Sequence, residues 1–111
     1  MTINGKYYKD AELNFNTVCE MENMGVSIQS IDDNIMSAAR AYAAICMRKP
    51  LNVAGAEIEA HIIGGGTLVD ILEPFNKKAE ESGFFQALRR KAEAEEIQEE
   101  NNVQEMKPVK A

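Results

Sequence analysis

The chain has no tryptophan, a single histidine and two cysteines among its 111 residues. One imidazole leaves no partner for an H-E-x-x-H zinc site, and no C-x-x-C or second cysteine pair takes its place. Cys19 and Cys46 sit far apart, each beside apolar neighbours, and are expected as buried free thiols of a reducing compartment. Basic blocks are equally scarce. Arg89-Arg90-Lys91 is the only run of three, and 12 Lys and Arg stand against 18 Asp and Glu for a net charge of −6. Phosphate contacts need a surplus of cations, so nucleic acid is not an expected partner. No apolar run approaches the ~20 residues that span a bilayer, and the opening "MTINGKYYKD" has no apolar h-region. The expectation is a soluble cytoplasmic protein with no membrane contact and no secretory signal.

The residues present suit one domain. The length is adequate for a real core, and the hydrophobic fraction of 45% is ordinary. With aromatics at 6%, that core must be mostly Ile, Leu, Val, Ala and Met. The pattern predicts an α+β fold: a mainly helical single domain over 1–90 with a small N-terminal antiparallel β-hairpin. A C-terminal helix then frays into an acidic, disordered tail over 91–111.

Asn4-Gly5 is a strong hairpin dipeptide between Thr2-Ile3 and Tyr7-Tyr8. "AELNF" alternates and reads as a further extended stretch with Leu13 and Phe15 on one side. Asn16 or Thr17 is the expected cap of a short helix bearing Val18, Met21 and Met24, with Glu20 placed for a capping box and Gly25 as its stop. Val26, Ile28 and Ile31 anchor the link that follows. The strongest helix, capped by Asp32 or Asp33, repeats Ile35, Ala39, Tyr42 and Cys46, widened by Ala38 and Ile45. Pro50 ends it. A second long helix, capped by Asn52, offers Ala54, Ile58 and Ile62, or Ala60 and Ile63, for burial. A third, opened by Thr67, offers Leu68, Ile71, Leu72 and Phe75. Pro74 should kink this helix or start a new segment, and Gly83 should break it.

The segment "HIIGGGTLVD" invites a chemical reading. A phosphate loop of the Walker type needs a Lys after its glycines, and a dinucleotide fingerprint needs different spacing after a strand. Neither is present, so Gly64, Gly65 and Gly66 read as a structural corner, like Gly25, with a left-handed cap and a helix restart at Thr67. Glu57 lies one turn before His61, the spacing of an acid–histidine pair. Ser30, Ser37 and Ser82 stand in no G-x-S-x-G context. The sequence therefore offers no catalytic residues, no metal site and no cofactor-binding motif, and no enzyme is expected. Phe84, Phe85 and Leu88, on a helix expected to be loosely tied to the body, form an apolar patch suited to binding a partner.

Three stretches carry a family resemblance: "NFNTVCEMENMG" (Asn14 to Gly25), "EAHIIGGG" (Glu59 to Gly66) and "SGFF" (Ser82 to Phe85). With the order of elements over roughly 1–90, the chain resembles the tail assembly chaperones of long-tailed phages and prophages of Gram-positive bacteria. The resemblance implies a non-catalytic protein of the host cytoplasm, absent from the finished virion. Its implied partners are the tape measure protein, whose apolar helices it would coat, and tail tube subunits, which it would help recruit. It also implies that this chain is the short form of a pair whose longer member arises by frameshift. Coating a filament takes many copies, so a homo-oligomer is compatible with the role. The competing expectation is a small acidic regulatory or inhibitor protein of a mobile element that binds one host protein.

Overall fold

The computed structural model describes residues 1–90, and the expected acidic extension and tail at 91–111 lie outside the described residues. The described chain is mainly helical with a two-stranded antiparallel sheet at its start. Strands β1 (Thr2–Ile3) and β2 (Lys6–Tyr7) pair in the register Thr2 with Tyr7 and Ile3 with Lys6. The turn between them has φ of 53° at Asn4 and 83° at Gly5. Positive φ at both central residues is the signature of a type I′ hairpin, which Asn-Gly adopts at little cost. Ile3 is fully buried beneath helices α3 (Leu51–Ile63) and α4 (Val69–Glu81), which supply the cover so small a sheet needs.

"AELNF" is not a strand. Ala11 to Leu13 runs without regular structure, and Asn14 caps α1 (Phe15–Asn23) by accepting from the Thr17 amide at 3.0 Å. The helix thus begins before the predicted Asn16 or Thr17 cap. The Thr17 hydroxyl donates instead to the Glu12 carbonyl at 2.6 Å. Side chains from the helices do for this segment what a neighbouring strand would have done. The Tyr42 hydroxyl donates to the Ala11 carbonyl at 2.6 Å, the Ala11 amide donates to Cys46 Sγ at 3.3 Å, and Ser82 Oγ donates to the Leu13 carbonyl. Paired polar groups let a backbone stretch lie against the core without a sheet.

Helix α1 ends in a Schellman motif. Gly25 takes φ 88°, its amide reaches the Glu22 carbonyl at 2.9 Å, and the Val26 amide reaches the Met21 carbonyl at 2.9 Å. Val26 and Met21, joined by that bond, are both buried. Ile31 is buried and Ile28 partly so, as the linker reading expects. Helix α2 (Ile35–Met47) is the centre of the molecule and packs on α1, α3 and α4. More than a stripe of it is covered: Ala41, Tyr42, Ala43 and Ala44 are buried in succession. Alanines at those positions allow the close approach of three neighbours. Ile35, expected in the stripe, is exposed at the helix start. Its N-cap is Asn34 rather than Asp32 or Asp33, and α3 follows Pro50 directly rather than Asn52. A proline suits a helix entrance, where no amide donor is required.

Helix α4 continues through Pro74 without starting a new segment. Ile71, Phe75 and Ala79 fall on one buried face on both sides of the proline, and that shared burial offsets the missing hydrogen bond. Ser82 then separates α4 from α5, of which residues 83–90 are described. Ser82 is the cap of α5: its Oγ accepts from the Phe85 amide at 3.0 Å and its carbonyl from the Gln86 amide at 3.0 Å. The core is contiguous from Met1 and Ile3 to Phe85, with Tyr42 and Phe75 edge to face at 5.1 Å and Phe75 and Phe85 at 6.1 Å.

Candidate partner-binding surface

The predicted patch of Phe84, Phe85 and Leu88 divides when placed in the fold. Phe85 is 1% exposed and belongs to the core, and Leu88 is partly buried against it. Consecutive residues on a helix point about 100° apart, so a helix packed on one side sends adjacent aromatics in different directions. Phe85 takes the core side, and Phe84 is left at the surface, 36% exposed. Nor is the described part of α5 loosely held. Arg89 pairs with Asp32 at 3.2 Å and lies over the Phe85 ring at 5.9 Å, and the Gln86 amide group donates to the Ala79 carbonyl at 2.8 Å.

Phe84 has a partner that sequence reasoning missed. Phe15, 64% exposed at the start of α1, meets it edge to face with ring centroids 5.7 Å apart. Assigned to a strand, Phe15 would share a face with Leu13. As the first residue of a helix it turns outward while Leu13 stays buried. Polar ties surround the junction: Ser82 Oγ to the Leu13 carbonyl and Lys78 Nζ to Glu12 Oε1 at 2.7 Å. The Glu12 carboxylate holds the Lys78 ammonium above the usual lysine range. The two aromatics thus form an exposed apolar site on anchored helix starts.

A second apolar surface lies between α2 and α3. Met36, Arg40, Gly55, Ile58, Glu59 and Ile62 line a groove of about 490 Å³, and Ile63 stands at its edge, 80% exposed. Burial on α3 stops at Ile58. Ile62 and Ile63, offered for the core as alternatives by their spacing, are both exposed, although Met36 and Ser37 of α2 line the same groove. A more polar recess of about 900 Å³ lies beside Ala11 to Asn14, with Lys9, Glu20, Arg48 and Lys49 among its walls. Cys46 faces it half-buried, its thiol pushed above the ordinary range by burial.

The glycine corner is structural, and Gly65 and Gly66 serve it in different ways. Gly65 takes φ 105°, its amide bonding the Ile62 carbonyl at 3.1 Å, while the Gly66 amide reaches the His61 carbonyl at 2.8 Å. This is a Schellman end like that of α1. Gly66 is needed for a different reason. A Cβ there would lie 2.3 Å from His61 Nε2, so the imidazole occupies the space a side chain would take. The ring's Nδ1 accepts from the Asn4 amide at 2.9 Å, and its Nε2 lies 2.7 Å from Asp70 Oδ2. An accepting Nδ1 fixes the tautomer with the proton on Nε2, donated to Asp70. Asp70 also accepts from the Thr67 amide at 3.1 Å, and this bond, then His61, holds its carboxyl below the usual range. Glu57 does not pair with His61. It accepts from the Asn4 side chain at 3.1 Å, so both residues grip the hairpin turn. The histidine thus joins β1–β2, α3 and α4 in one clamp.

Among the described residues no group of three or more His, Cys, Asp and Glu is placed to hold a metal, and no helix is long and apolar enough to cross a membrane. No protein-family model, curated protein or solved structure matches the chain.

Proposed function

We propose that the chain is a tail assembly chaperone that shields apolar helices of a phage tape measure protein and helps bring tail tube subunits to it, in the host cytoplasm and without catalysis. The observation that carries this reading is the Phe15–Phe84 pair. "NFNT" and "SGFF" are two of the three stretches that carry the family resemblance, they are far apart in sequence, and they meet as one exposed aromatic site. A chaperone of varied apolar helices needs large adaptable contacts on a firm base and few directional polar groups. The net charge of −6 keeps such a protein soluble and away from the phage genome.

The test is co-expression with a helical fragment of the tape measure protein encoded beside this gene. Phe15→Ser with Phe84→Ser should weaken capture of the fragment at least about tenfold, the scale of losing central aromatic anchors. The far-ultraviolet circular dichroism should be unchanged, because both rings are exposed. Capture that survives the double change refutes the site. Absence of a tail tube gene and a long tape measure gene nearby would favour the regulator of a mobile element instead.

A further inference from the structure

The geometry points to the α2–α3 groove as the interface of a two-fold symmetric dimer of this chain. This inference does not depend on the tail-assembly reading and shares no residue with the Phe15–Phe84 site. The groove carries one cation and one anion. Arg40 lays its stem across α3, where a Cβ on Gly55 would come within 3.3 Å of its Cδ. Glu59 lines the same groove from α3. The two make no ion pair with each other, and among the described residues neither has another salt-bridge partner. Around them the surface is apolar, with Met36 69%, Ile62 41% and Ile63 80% exposed.

A two-fold axis makes an interface self-complementary: if residue i of one copy meets residue j of the other, j also meets i. Across this groove Arg40 would meet Glu59 of the partner subunit, and Glu59 would meet Arg40 of the partner subunit, giving two ion pairs from two unpaired charges. Ile63 is the knob at the rim and the groove is the hole, and each copy supplies both. Gly55 makes room for the Arg40 stem, and Ser37, also small, leaves space for the facing helix. A foreign helix would have to bring its own carboxylate and its own cation at matching separation, whereas a second copy has both already. The exposed isoleucines, which the monomer leaves in water, gain a dry contact in the same step.

The experiment is sedimentation equilibrium of the full chain from micromolar to millimolar concentration. The wild type should dimerise. Arg40→Glu and Glu59→Arg should each weaken dimerisation at least about tenfold, because each sets like charges opposite one another. An equimolar mixture of the two variants should recover a dimer, since Glu at 40 then faces Arg at 59 and the native Arg40 faces Glu59. Ile63→Ser, at a position too exposed to affect folding, should also weaken association. Circular dichroism verifies that each variant is folded. A wild type that stays monomeric throughout overturns the inference. So does a dimer that tolerates the single charge changes, which would place the interface elsewhere, or a mixture that fails to recover. Loss of tape-measure capture by Arg40→Glu with a monomeric wild type would assign the groove to that partner instead, and also overturns it.

Discussion

Replacing Gly66 by alanine separates a glycine kept for its backbone from one kept for its neighbour. Gly66 is not among the residues with positive φ, so alanine meets no left-handed penalty there. On an unobstructed site the change would stabilise the fold by ~0.4–1 kcal/mol, by reducing the freedom of the unfolded chain. The site is obstructed, however. The new Cβ would stand 2.3 Å from Nε2 of His61 and 2.6 Å from Cδ2 and Cε1, and the ring must move. Moving it breaks the 2.9 Å bond from the Asn4 amide, worth ~0.5–1.5 kcal/mol net. A displaced rotamer costs ~0.5–1.5 kcal/mol more. The Asp70 contact is lost too, but that carboxylate is in water and adds little. The balance is a net destabilisation of about 1 kcal/mol. In a His61→Ala background the ring is gone, and the same glycine change should turn stabilising. The cycle therefore predicts a coupling of about 2 kcal/mol, well beyond ordinary departures from additivity. Urea unfolding of the four proteins, followed by circular dichroism, measures it through midpoint shifts at constant slope. If Gly66→Ala raises stability equally in both backgrounds, the ring does not occupy that space and the clamp is wrong.

Three further outcomes are expected. Arg48 ends α2 in the left-handed region with φ 57°, so Arg48→Gly should raise stability by ~0.5 kcal/mol, the backbone relief less the entropy glycine adds to the unfolded chain; a thermal melt reads this as a few degrees. The Asp70 carboxyl is held below its usual range chiefly by the Thr67 amide and then by His61, so its contribution is present above the ordinary carboxylate range and is lost as pH falls through the lowered folded value; Asp70→Asn should flatten the acid limb of stability against pH. Burial pushes the Tyr42 hydroxyl far above its ordinary value of 10, so its contribution is complete below about that pH and declines above it. Tyr42→Phe leaves the Ala11 carbonyl without its donor and should cost ~1–2 kcal/mol at neutral pH while removing that alkaline decline, both measurable by urea titration across pH.

What was legible in the sequence was whatever rests on local chemistry. Asn4-Gly5 specified its turn, Gly25 and the glycine corner specified helix ends, and the spacing through Ala39 and Tyr42 specified the central helix. What misled was pattern without context. "AELNF" alternates, but its backbone groups are taken by Thr17, Tyr42, Cys46 and Ser82, residues spread over much of the chain, and no window of a few residues contains that information. Ile62, or Ile63 on the alternative face, fits the period of a buried side of α3, yet period says which side of a helix is apolar and not whether a neighbour covers it. His61 was expected to bind no metal; what its sequence context did not show is that its contacts to Asn4 and Asp70 join elements that only folding brings together.

The same distinction accounts for the aromatic site. Phe15 and Phe84 each lie in the first turn after a cap, Asn14 for α1 and Ser82 for α5. First-turn residues are where a helix emerges from a loop, so one side of them faces solvent even when the rest of the helix is packed. Ser82 connects the two caps directly: its hydroxyl accepts from the Phe85 amide and donates to the Leu13 carbonyl, one residue before Asn14. One serine therefore fixes the rotation of α5 that sends Phe85 inward and Phe84 outward, and also the position of the turn that presents Phe15. Burying the larger share of the Phe-Phe dipeptide secures α5 to the body, while the remaining ring is free to form a surface with its distant neighbour. Stability and exposure are assigned to adjacent residues by the cap between α4 and α5. A sequence reading that treats Phe84, Phe85 and Leu88 as one patch misses this division, because they share composition but not direction.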